Sequence, residues 1–101
     1  MAGHLARLTE HVRLTNAANA TAYNARIAER LADMAQKAAE ELASVAESTS
    51  GYERELAVSM AEIAADRAKS YKASAAAYRK AADGAARNLA EWVAAGAGLG
   101  G

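Results

Sequence analysis

The sequence predicts an all-α chain folded as a long antiparallel helical hairpin of two helices, one that completes a bundle or helical assembly by oligomerisation. Three observations predict it. Proline is absent and glycine is confined to Gly3, Gly51, Gly84 and the stretch from Gly96 onward, so few residues oppose a helix. Alanine, the best helix former, supplies 31 of the 101 residues. The larger apolar residues recur at helical spacing along both halves of the chain.

The first helix is placed at about residues 4–47. It carries one stripe: Leu5, Leu8, Val12, Asn16, Asn19, Tyr23, Ile27, Leu31, Met34, Ala38, Leu42 and Val45. The turn is placed at about 48–51, where Ser48-Thr49-Ser50-Gly51 would weaken a helix by roughly 2–3 kcal/mol if it ran through. Ser50 and Glu53 have the spacing of a capping box, in which the hydroxyl accepts a free amide N–H and the glutamate reaches back to the cap. The second helix is placed at about 51–95, continuous through Gly84 because Leu89, Trp92 and Val93 extend its pattern. Its stripe runs Tyr52, Leu56, Met60, Ile63, Arg67, Tyr71, Ser74, Tyr78, Ala82, Ala85, Leu89 and Val93 in steps of four, four and three. That eleven-residue period, about 3.67 residues per turn, keeps a stripe nearly straight with a slight right-handed drift. Residues 96–101 are expected to form a flexible Gly-rich tail, and 1–101 to be a single domain.

A reversal near Ser50 opposes positions whose numbers sum to roughly 101, setting Val12 against Leu89, Tyr23 against Tyr78 and Val45 against Leu56. The stripe also keeps its phase across the turn through Val45, Thr49, Tyr52 and Leu56, so one uninterrupted rod is the rival. The hairpin is preferred because a rod carries Gly51 inside a helix and exposes a narrow seam. Tyr23, Tyr71 and Tyr78 are expected to form an aromatic layer in mid-hairpin, with their hydroxyls at the seam edge.

Composition narrows the function. Apolar residues make up 52 % and charged residues 24 %, the range of a soluble folded chain. Large side chains are scarce: a buried large aliphatic contributes about 1.5–3 kcal/mol and an alanine methyl much less, so two alanine-rich helices alone make a thin core. A homo-oligomer, dimer or larger, or a complex with another helical protein is therefore expected. Twelve basic and twelve acidic residues balance, which gives no reason to expect nucleic acid. Cysteine is absent, removing disulfides and thiolate chemistry. The opening residues lack the apolar run of a signal peptide and no stretch reaches membrane-spanning length. A cytoplasmic location and export without a classical signal peptide both remain open.

No catalytic motif is present, so the chain is expected not to be an enzyme and to carry no cofactor. His4 and His11 stand seven apart and lack the i, i+4 or Glu-x-x-His spacing of a bundle metal site, so no metal is expected. A site would require several subunits to gather His4, His11 and Glu91. The expected interface residues are Leu8, Val12, Asn16, Asn19, Tyr23, Arg67, Tyr71, Tyr78, Leu89 and Trp92. Asn16 and Asn19 interrupt the stripe, either setting register with a partner or occupying a wet alanine-lined layer. Arg67 either pairs with an acid of another subunit or snorkels to water. Trp92, near the open end, is the best single contact residue. Lys69, Lys72, Arg79 and Lys80 gather in the second helix while Glu40, Glu41, Glu47, Glu53 and Glu55 cluster toward the turn, polarising the hairpin along its length.

Two helices, a mid-chain Ser-Gly turn and the run Ala75-Ala76-Ala77-Tyr78-Arg79-Lys80-Ala81-Ala82-Asp83 resemble the WXG-type hairpins of type VII secretion. Where that family has Trp-x-Gly, this turn has Thr49-Ser50-Gly51. Tyr78 stands five residues before Asp83, where the family's tail signal spaces the pair by four. The resemblance implies a secreted dimeric four-helix bundle with Tyr78 and Asp83 nearest the export signal. The segment Leu31 to Glu41 is loosely similar to phasins, which implies a granule- or membrane-surface protein. The reading favoured on the residues themselves is a non-enzymatic self-assembling structural subunit, with a partner-binding adaptor as the alternative.

Overall fold

A computed structural model describes residues 2–96; of the expected tail at 96–101, residues 97–101 lie outside the described residues. Helix α1 spans Ala2–Ser48 and helix α2 spans Gly51–Ala95, folded back on each other as a hairpin. The molecule measures 75 × 18 × 13 Å, and its radius of gyration is 22.0 Å. A compact chain of this length has about 13 Å. The helices pack along their whole length, so elongation comes from helix length.

The reversal occupies only Thr49 and Ser50, and it is the backbone that breaks the rod. Ser50 is extended (φ −144°, ψ 164°) and Gly51 sits at φ +64°. No heavy atom lies within 4 Å of where a Gly51 Cβ would stand, so the left-handed backbone, and not space, calls for glycine. The expected capping box does not form as a cap: the Ser50 side chain makes no capping hydrogen bond. The hydroxyls before it bond backward instead, Thr49 Oγ1 donating to the Val45 carbonyl at 2.9 Å and Ser48 Oγ to the same carbonyl at 3.2 Å. They occupy the carbonyl end of α1, which a helix terminus leaves without intrahelical donors. Helix α2 is unbroken through Gly84, whose Cβ position is also open.

The seam is where sequence and structure part. The expected stripe of large residues does not close the hairpin. The buried residues are all alanines: Ala25, Ala28, Ala32, Ala39 and Ala46 from α1 against Ala57, Ala68, Ala75 and Ala82 from α2. Ala25, Ala32, Ala39 and Ala46 repeat every seven residues, as do Ala68, Ala75 and Ala82. Seven is the spacing that keeps a seam facing a left-handed partner, so an eleven-residue stripe drifts away from it. Alanine methyl groups make up the fully buried part of the contact, which suits helices packed toward the short end of the usual range. No large side chain is fully buried among the described residues.

The aromatic layer is corrected with the seam. Tyr23 is 57 % exposed and Tyr78 42 %, while Tyr71 is half-buried. Axial register follows the expected pairing, since Met34 with Arg67 and Leu42 with Met60 line one groove. Each helix is instead rotated about its own axis, which brings small residues inward and leaves large ones at the flank.

Candidate interface

With alanine at the seam, two grooves run between the helices on opposite flanks of the hairpin. At 3.6 residues per turn, Leu31, Ala35, Ala38 and Leu42 lie to one side of the Ala25–Ala46 line and Gln36, Glu40, Ala43 and Glu47 to the other. Helix α2 divides in the same way.

The first flank is a large-residue groove. Leu31, Met34 and Leu42 face Met60, Ile63 and Tyr71 across it, and it continues through Leu31 and Tyr71 to Ile27, Asn24 and Tyr78. Met34 is 66 % exposed and Ile63 53 %. Arg67 is the single charged residue lining this stretch, and it forms no ion pair among the described residues.

The opposite flank is a small-residue groove enclosing about 550 Å³. Ala39, Ala43, Ala61 and Ala65 form its floor, Glu40 and Glu62 stand at one level on its two rims, and Val58, Arg54 and Glu47 lie toward the turn. Glu40 accepts a hydrogen bond from Gln36 Nε2 at 3.3 Å. Farther along, Arg79 Nη2 donates to Glu29 Oε1 at 2.7 Å, a cross-helix pair that holds the Arg79 guanidinium above its ordinary pKa. Both partners are exposed, so the pair adds little stability.

At the open end Trp92 packs edge-on against His11, ring centroids 5.5 Å apart, and Leu14, Leu89 and Trp92 are half-buried. Leu14 lies off the expected stripe and is seam-facing. The Glu10 carboxyl is held below its ordinary pKa by a hydrogen bond from the Arg13 guanidinium one turn on. Thr21 Oγ1 bonds back to the Ala17 carbonyl at 2.8 Å, whereas Thr15 Oγ1 is shut away from solvent without a partner among the described residues.

Of the expected interface residues, Tyr71, Leu89 and Trp92 are half-buried within the hairpin. Leu8, Val12, Asn16, Asn19, Tyr23, Arg67 and Tyr78 are exposed. The structure brings Arg67, Tyr71 and Tyr78 into one groove; Leu8, Val12, Asn16, Asn19 and Tyr23 stand on the outer surface of α1 toward the open end. Sequence reasoning missed the small-residue groove with Glu40, Val58 and Glu62. Its signal was present in the seven-residue alanine repeat.

Among the described residues no three His, Asp or Glu side chains gather around a common point, and no helix is long and apolar enough to cross a membrane. Comparison with protein-family models, with curated proteins and with solved structures gives no match.

Proposed function

We propose that the protein is a non-enzymatic, self-assembling helical subunit whose exposed apolar groove is covered by other copies of the chain. One observation carries this: the fully buried side chains among the described residues are alanines, while Leu31, Met34, Met60, Ile63 and Tyr78 stay exposed along one open groove.

The surface balance supports it. The chain exposes 7262 Å², against about 5,400 Å² for a compact monomer of its mass. The excess, about 1,900 Å² on one chain, is roughly twice the 800 Å² or so that a standard interface removes from each partner. Leu31, Met34, Met60 and Ile63 are 37–66 % exposed, so covering them on assembly contributes roughly half of the 1.5–3 kcal/mol of a full burial for each.

Light scattering coupled to size-exclusion chromatography, run over a concentration series, tests the proposal. The expected result is a mass that rises above the 10.4 kDa of a single chain. A helical 10.4 kDa monomer at every concentration overturns it.

A further inference from the structure

We infer that assembly is front to back: the large-residue groove of one hairpin seats on the small-residue groove of the next copy, and Arg67 enters between that copy's Glu40 and Glu62. This rests on the self-assembly reading and goes further, because it names both surfaces and the closure of the contact.

Charge selects the pairing. Arg67 is an unpaired cation near the middle of a groove that runs from Asn24 and Tyr78 to Leu42 and Met60. If two such grooves met face to face about a twofold axis, the two Arg67 side chains would stand beside each other. No acidic side chain lines that groove among the described residues. The opposite flank offers what is missing, with Glu40 and Glu62 on facing rims at one level and neither in an ion pair among the described residues.

Shape selects the same pairing. The two grooves are of similar volume, about 510 and 550 Å³, but the first is walled by Leu31, Met34, Met60 and Ile63 and the second mainly by alanine. Large side chains fill a surface of small ones, whereas two small-residue grooves laid together would leave voids. Arg67 and Glu62 are five residues apart on one helix, about 8 Å along its axis. In a parallel stack, a stagger of that size brings the Arg67 of one hairpin level with the acidic pair of the next. Each copy then uses two different surfaces, and a contact between unlike surfaces leaves one of each free at the ends. With a constant stagger the parallel copies do not close into a ring, so such contacts propagate into a filament and do not stop at a dimer. Two faces of about 800 Å² per copy, the standard size for one partner, also account for most of the excess surface.

Charge exchange tests it. Arg67→Glu alone and the pair Glu40→Lys with Glu62→Lys alone are each expected to lower the assembled fraction at least tenfold. Mixing the two variants is expected to restore assembly, because every contact then again joins opposite charges. All three positions are exposed, and far-UV circular dichroism of each variant checks that the hairpin is intact. Wild-type mass is expected to grow with concentration without a plateau. Unchanged or tighter assembly of Arg67→Glu, a plateau at dimer, or a mixture that stays dissociated overturns the front-to-back contact while leaving self-assembly standing. A monomeric wild type overturns both.

Discussion

Replacing Ala68 by leucine separates an alanine-closed hairpin from one closed by large residues. Ala68 is 1 % exposed and lies at the level of Ala32, itself buried, on the other helix. Three added carbons have no space there unless the helices move apart, toward the upper end of the usual range at about 10 Å. Separation also loosens the neighbouring methyl contacts at Ala28 and Ala75, which are buried in the same seam. Overpacking of a tight core costs about 1–3 kcal/mol, and the absence of any side chain that can move aside puts this site at the upper end. At about 4–8 °C per kcal/mol for a domain of this size, the midpoint should fall by roughly 10–20 °C. Thermal unfolding followed by far-UV circular dichroism, at concentrations below assembly, measures it. Ala73→Leu on the exposed face is the control, expected within about 0.5 kcal/mol of wild type. If large residues formed the core, the added leucine would contribute up to about 3 kcal/mol of burial. An unchanged or raised midpoint for Ala68→Leu would therefore refute the alanine seam.

Gly84→Ala places a methyl in open space within a continuous helix, and should stabilise the hairpin by about 0.8–1 kcal/mol in urea unfolding. Gly51→Ala puts a Cβ on a residue at φ +64°, where the left-handed backbone costs roughly 1–2 kcal/mol, and should lower the midpoint in the same assay. Tyr78→Ala should cost the dilute hairpin well under the roughly 3–5 kcal/mol of a buried aromatic, since the ring is 42 % exposed. Its larger effect should show in the concentration at which assembly begins, read by light scattering.

Much of the fold was legible because it follows from absences and one glycine. Without proline, and with Ser48-Thr49-Ser50-Gly51 at mid-chain, two long helices meeting at a reversal are the economical outcome, and axial register follows from the length of each arm. The rotation of the helices was not legible. With 31 alanines in the chain, almost any spacing of alanine can be found, and the eleven-residue stripe of leucine, tyrosine and methionine outweighs the seven-residue run Ala25, Ala32, Ala39, Ala46. Hydrophobic patterning assigns large residues to the inside of a chain considered alone. Here the buried seam belongs to the smallest side chain, and many large ones stay exposed. Leu14 was missed for the same reason, since it follows the alanine seam and not the stripe. The Ser50 cap failed on local geometry, because spacing to Glu53 says nothing of where the hydroxyl points.

The proposed division of labour, alanines holding the hairpin and large residues holding the assembly, is tested most directly by sedimentation equilibrium of Ile63→Glu at the highest concentration used for wild type. Ile63 is 53 % exposed in the groove, so a carboxylate there stays solvated in the single hairpin and is desolvated when the groove is covered. The account predicts a mass of 10.4 kDa with wild-type helicity in the same sample. A variant that stays assembled, or one that loses its helicity along with its mass, would contradict it.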